Sequence, residues 1–289
     1  MKFYIVDVFG NSKFSGNQLA VVVLDKSIPT TVMQDIANEF HFSETTFITL
    51  NESTDIEYKV NIFTPQAEVP FAGHPTLGTA FIIRNEILKS KLSELILDLK
   101  VGKIPVKFDD KNNLQWMKQV EPIFGKTHNA EIISEIINTS INNIDIRFPI
   151  QNVSTGIEFL LIPLKTLDSI KNTSTNLQKY KEYFIKDDPK PLFIFCPEVY
   201  DAKNSINSRM FADVFGIPED PATGSANGCL AAYLTNYQYF GNSKINISVE
   251  QGYEINRKSI LYLQSNKENE LYNIKVGGKV IKIAEGELV

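Results

Sequence analysis

Sulfur, histidine and long apolar runs are all scarce in this chain. Only Cys196 and Cys229 occur among 289 residues. That is too few for a disulfide framework or a thiolate zinc cage, and it suits a reducing compartment. His41 and His128 are isolated, no His-Glu-x-x-His occurs, and no metal-ligand spacing appears, so no metal is expected. No apolar run approaches the ~18 residues needed to span a bilayer. The amino end, Met1-Lys2-Phe3-Tyr4-Ile5-Val6-Asp7, reaches an acidic residue before a signal-like apolar core can build. The expected location is the cytoplasm. Positive charge is not in excess either: the net charge of -5 offers no general attraction to nucleic acid or anionic membranes. An anionic small molecule must then be caught by a focused local site. The single Trp116 and the 19 phenylalanines read as core, since no basic stripe accompanies them to make a base-stacking platform.

What is present is an ordinary globular composition, 43% hydrophobic and 22% charged, in a chain long enough for two domains. Phe3–Phe9 and Leu19–Leu24 suit buried strands, with Gly10–Gly16 as the turn between them. Thr31–Phe40 has helical apolar spacing, and Thr31 with Gln34 fits a capping box. Ile56–Phe63 alternates as a half-buried strand. After the loop Thr64–His74, Pro75 fits the first position of a second helix through Leu77, Ala80 and Phe81, whose first charge is Arg84. Strands are expected at Leu95–Leu99, Ile104–Phe108 and Leu114–Met117. In the second half they are expected at Phe159–Leu164, Leu192–Cys196, Arg209–Ala212, Ile245–Val249, Ile260–Leu263 and Val276–Ile283.

The two halves share a grammar. Phe63 and Phe211, and Pro70 and Pro218, are each separated by 148 residues, and each pair precedes a glycine-containing turn and a helix nearly devoid of charge. A helix apolar on nearly every side is expected to be buried on every side. The pattern reads as a duplicated α+β unit. The expected domain boundary falls near residue 120, giving residues 1–120 and 121–278.

Three polar clusters sit at junctions between elements, where function is usually placed. In Phe42-Ser43-Glu44-Thr45-Thr46-Phe47 a partly desolvated Glu44 would suit general acid/base work; the plainer alternative is a solvated turn glutamate. In Phe71-Ala72-Gly73-His74-Pro75-Thr76-Leu77-Gly78 a helix start with Gly73 makes an anion site. His74 there either donates to a carboxylate, relays a proton or simply caps the helix. Gly73 and Gly78 have P-loop spacing, but Thr79 and Ala80 stand where lysine and Ser/Thr are required, which removes a nucleotide. In Glu219-Asp220-Pro221-Ala222-Thr223-Gly224-Ser225 a second helix start repeats the arrangement, with Asp220 alternatively a plain N-cap. Two such helix starts, facing each other, would clamp one small carboxylate-bearing ligand.

Phe14-Ser-Gly-Asn17, Ser43-Glu-Thr45, Phe63-Thr-Pro65, Gly73-His-Pro-Thr-Leu-Gly78, Glu219-Asp-Pro-Ala-Thr-Gly-Ser225 and the tail from Gly277-Gly278 to Ala284-Glu-Gly286 resemble the phenazine-biosynthesis PhzF-like isomerases, in order and across the whole chain. The resemblance implies a diaminopimelate epimerase-like fold: two pseudo-symmetric domains, each a mixed sheet wrapped around a central helix, with a last strand at 279–289 that rejoins the first domain. It further implies a cytoplasmic homodimer that needs no cofactor and moves a proton on a small cyclic anionic metabolite in a cleft between the halves. In the namesake enzyme the substrate is dihydro-hydroxyanthranilate. By resemblance Glu44 is the general acid/base, His74 and Asp220 are catalytic partners, and Gly73, Gly224 and Ser225 bind the substrate. Related epimerases and racemases use two opposed thiols at these helix starts; around Ala72 and at Asp220-Pro221 there is no cysteine, which disfavours thiol racemisation. Gln18 and Asp213 replace prolines common in the family, departures expected to touch loops. A catalytically idle anion-binding protein and an epimerase remain the alternatives.

Overall fold

The computed structural model describes residues 1–185 and 188–289. The chain divides into two compact units, Met1–Lys118 with Gly277–Val289, and Gln119–Val276.

The first unit opens with β1 (Lys2–Val8) and β2 (Asn17–Leu24), which pair antiparallel, Val6 opposite Leu19. Helix α1 (Thr30–Phe40) then carries the chain to β3 (Thr45–Thr49), parallel to β2. Next come β4 (Glu57–Phe63), antiparallel to β3, and the short β5 (Glu68–Val69) folded back on it. Helix α2 (Gly73–Ile82) leads to β6 (Glu94–Leu99), parallel to β4, and to the meander β7 (Gly102–Asp109) and β8 (Leu114–Lys118).

The expected capping box is not formed. Pro29 is the N-cap of α1, and its carbonyl accepts the N–H groups of Val32 and Met33 at 3.0 and 3.2 Å. Thr31 is therefore already inside the helix, and Gln34 donates instead to the Thr64 carbonyl at 2.9 Å. Proline needs no N–H at this position, which lets the helix begin before Thr31. Pro75 is likewise not the first helical residue: α2 begins at Gly73, and within a first turn a missing N–H still costs no intrahelical bond.

Helix α2 is buried along almost its whole length and packs against β1, β2, β3, β6, β7 and β8. Its small residues explain the close approach. A Cβ on Gly78 would lie 2.6 Å from a Leu19 methyl and 2.9 Å from a Val8 methyl. The Thr79 hydroxyl reaches that of Thr46 on β3 at 2.8 Å. Past Ile82 the helix loosens into a π turn, Ile83–Ile87, where the buried Arg84 pairs with Asp110 at 2.7 Å.

The second unit repeats this plan. It runs β9 (Ile123–His128), α3 (Ala130–Ile136), β10 (Ile150–Ser154), β11 (Glu158–Pro163), α4 (Leu167–Lys171), α5 (Leu177–Tyr183), β12 (Leu192–Cys196) and β13 (Ile206–Ala212). It continues through β14 (Ile217–Asp220), α6 (Gly224–Asn236), β15 (Lys244–Gln251), β16 (Ser259–Glu268) and β17 (Leu271–Gly278). β10–β11 is antiparallel, β11–β12 parallel, β12–β13 antiparallel, β13–β15 parallel and β15–β16 antiparallel. That is the sequence of senses along β1, β2, β3, β4, β6 and β7. β14 folds back on β13 as β5 does on β4. The expected internal duplication is thus present strand by strand, and α6, buried from Gly224 to Thr235, is the counterpart of α2.

The expected strand at Val276–Ile283 is two strands, β17 and the last strand β18 (Val280–Glu287), broken at Lys279. β18 pairs antiparallel with β1. Gly277 and Gly278 allow the break: a Cβ on Gly277 would meet the Trp116 ring at 2.6 Å, and one on Gly278 would collide with the Phe9 ring.

Candidate active site

In the first unit the site residues converge on one end of the parallel pair β2–β3. Helix α1 ends with His41 in the left-handed conformation, φ 54°. The chain then turns back through Phe42 and Ser43 and delivers Glu44 immediately before β3. Because Ala20 faces Thr45 across the pair, Gln18 and Glu44 stand at the same end of it. The amino end of α2 approaches that end.

His74, in the first turn of α2, is 5% exposed, and its Nε2 lies 3.4 Å from Oε2 of Glu44, whose side chain is 17% exposed. Burial pushes the His74 imidazole down from 6.5 to about 3, against an opposing hydrogen bond to the Gln18 backbone. The imidazole is therefore neutral at physiological pH, and the contact with Glu44 is not an ion pair.

A bond that raises a histidine's pKa is one in which the ring donates. Nε2 makes no hydrogen bond, so the bond to Gln18 belongs to Nδ1. Nε2 then carries the lone pair that faces Glu44 Oε2. Two such atoms repel unless a proton stands between them. Gln18, expected on a loop, lies on β2, and the bond to His74 uses its backbone, not the side chain that departs from the family pattern.

Neither buried helix is capped by a side chain: the N-caps Ala72 of α2 and Thr223 of α6 make no such bond. At such a helix start the first-turn N–H groups, here Gly73 and His74 in one case and Gly224 and Ser225 in the other, lack intrahelical acceptors, and the helix dipole there favours negative charge. Asp220 is not an N-cap. It ends β14 three residues before the cap, and its Oδ2 accepts from the Thr223 hydroxyl.

Sequence reasoning missed the residues that hold this turn. Gln251, wholly buried on β15, bonds both Asp220 and Thr223, and Arg209 on β13 makes a bidentate pair with Glu219 at 2.7 and 3.0 Å. A glutamine near the end of an alternating strand carries no local signal of such a role.

Both cysteines are free and buried, and burial pushes each thiol up to about 12. No group of three or more metal-ligating side chains is found among the described residues. No helix among them is long and apolar enough to cross a membrane.

A half-buried carboxyl beside a buried imidazole thus stands at the mouth of an uncapped helix, on a twice-repeated α+β unit. The profile of the PhzC-PhzF family, phenazine biosynthesis-like proteins, matches residues 6–286, and the chain belongs to this family. The trans-2,3-dihydro-3-hydroxyanthranilate isomerase of Pseudomonas aeruginosa is 29% identical over 290 residues, covering 99% of this chain and 98% of the relative. A phenazine biosynthesis protein of the PhzF family from Bacillus anthracis superposes with a TM-score of 0.91 at 26% identity, over 100% of this chain and 99% of that one. A probable proline racemase from Agrobacterium radiobacter shares the fold, with a TM-score of 0.65 at 10% identity, over 100% of this chain and 92% of that one. The fold is the α+β, diaminopimelate epimerase-like one, and the protein is an isomerase.

Proposed function

We propose that this isomerase shifts a proton on a small cyclic metabolite bearing a carboxylate, without a cofactor, using Glu44 as the single acid/base. The observation that carries the reading is the 3.4 Å approach of Glu44 Oε2 to the buried, neutral His74. A carboxyl in such surroundings can take a proton from carbon and return it to the same face of a ligand, with His74 holding the proton's other end. The uncapped start of α2, with the Gly73 N–H, supplies the place for the ligand's carboxylate. Asp220, Gly224 and Ser225 belong to the same reading as substrate-holding groups, supported by the resemblance and by the second uncapped helix. The reading includes a homodimer working in the cytoplasm. Two inert thiols speak against a two-cysteine racemase.

The test is deuterium wash-in from heavy water across cyclic amino and hydroxy acids, beginning with trans-2,3-dihydro-3-hydroxyanthranilate. The intact protein is expected to label one carbon of an accepted compound. Glu44→Gln is expected to bind that compound and leave it unlabelled. Unchanged labelling in Glu44→Gln removes Glu44 from the mechanism, and no labelling of any compound by the intact protein favours a binding role without chemistry.

A further inference from the structure

The turn that carries Asp220 is governed from outside the motif, by a side chain on a different strand. Gln251 is wholly buried, and main-chain groups fix which end of its amide is which. Its Oε1 accepts the Thr223 backbone N–H at 3.1 Å and the Asn227 side-chain amide at 3.0 Å. Its Nε2 donates to the Asp220 carbonyl at 2.9 Å and to the Thr223 hydroxyl oxygen at 3.0 Å. Both amide hydrogens are thereby used. The Thr223 hydroxyl, already accepting from Gln251, has one hydrogen left, and that hydrogen goes to Oδ2 of Asp220. The neighbouring residue adds a second constraint. Gly252, at φ +75°, lies so close to Pro221 that a Cβ would stand 2.6 Å from the Pro221 carbonyl oxygen.

The chain of bonds therefore runs in one direction, Gln251 to Thr223 to Asp220, with two consequences. Asp220 is held as a hydrogen-bond acceptor at Oδ2. The Thr223 hydroxyl, which at an N-cap ordinarily accepts from the first-turn N–H groups, is withheld from α6, leaving those N–H groups for an anion. We propose that Gln251 is a positioning residue that acts through Thr223 to fix Asp220 as an acceptor and to keep the start of α6 uncapped. This rests on the assignment of Asp220 and α6 to substrate binding.

The test uses the full-length protein, with proton NMR and deuterium wash-in measured in parallel. The relay predicts a slowly exchanging Thr223 hydroxyl proton, because a hydroxyl donating to a buried carboxylate is shielded from water. That resonance should vanish in Thr223→Val, persist in Thr223→Ser, and shift or vanish in Gln251→Glu, where the donor facing Thr223 becomes an acceptor. Wash-in on a compound that the intact protein labels should fall roughly ten- to hundred-fold in Thr223→Val and Gln251→Glu, the scale of a lost hydrogen bond to a charged group. It should stay within a few-fold in Thr223→Ser.

A protected hydroxyl that is absent, or indifferent to Gln251→Glu, overturns the relay whatever the enzyme does. A relay present by NMR with wash-in untouched in Thr223→Val overturns its positioning role while leaving the Glu44 assignment standing. Loss of wash-in in Thr223→Val alongside full wash-in in Glu44→Gln supports the relay and sinks the Glu44 assignment. Should Thr223→Val not fold, Thr223→Ser and Gln251→Glu decide by the same resonance.

Discussion

Replacing His74 by glutamine should change how the stability of the first unit depends on pH. In the unfolded chain an imidazole titrates near 6.5, and in the folded protein burial holds His74 at about 3. Between those values the unfolded state binds the extra proton, so His74 costs the folded state stability as pH falls through 6.5, with no further loss below about 3. The cost grows by at most ~1.4 kcal/mol per pH unit, and between pH 7 and pH 5 it comes to about 2 kcal/mol. Trp116 is the only tryptophan and lies in the first unit, so its fluorescence reports unfolding there. In urea, at ~3 kcal/mol per molar, the midpoint of the intact protein should drop by roughly 0.7 M more than that of His74→Gln over this pH range. Parallel pH profiles would refute the neutral, desolvated imidazole. A midpoint that falls less in the intact protein than in the variant would mean that His74 is protonated against Glu44, the reverse of the neutral state that its burial imposes.

Arg209→Met should destabilise the second unit strongly, by ~3–5 kcal/mol, because it leaves Glu219 buried without its cation; circular dichroism melting checks this, and a change under 1 kcal/mol would contradict it. Iodoacetamide should leave Cys196 and Cys229 unmodified in the native protein and wash-in undiminished, since both thiols are buried and pushed up to about 12. Rapid alkylation with loss of wash-in would restore a thiol mechanism.

The features legible in the sequence are those that composition writes locally. Two helices without charge announced their own burial, and small residues at their starts announced a close backbone approach. The shared spacing of phenylalanine and proline exposed a duplication that the strand pairing repeats. What could not be read depends on partners far along the chain. Gln251 reaches back 28 residues to Thr223 and 31 to Asp220. The Gln18 backbone on β2 meets His74 at the start of α2, and Arg209 reaches the carbonyls of Ile170 and Thr173. Propensity has nothing to say about such bonds. The capping box at Thr31 failed for a local reason, since Pro29 began the helix first. The single strand at Val276–Ile283 failed because Lys279, an ordinary strand residue by type, falls where two strands part.

The most direct test is a crystal structure of Glu44→Gln with the compound that the intact protein labels. Transfer through residue 44 requires the exchanging carbon of the ligand to sit ~3–3.5 Å from the side-chain amide that replaces the Glu44 carboxyl, with the ligand's carboxylate at the amino end of α2. A ligand whose exchanging carbon lies remote from residue 44, or faces another acid or base, would contradict the assignment on which the proposed chemistry stands.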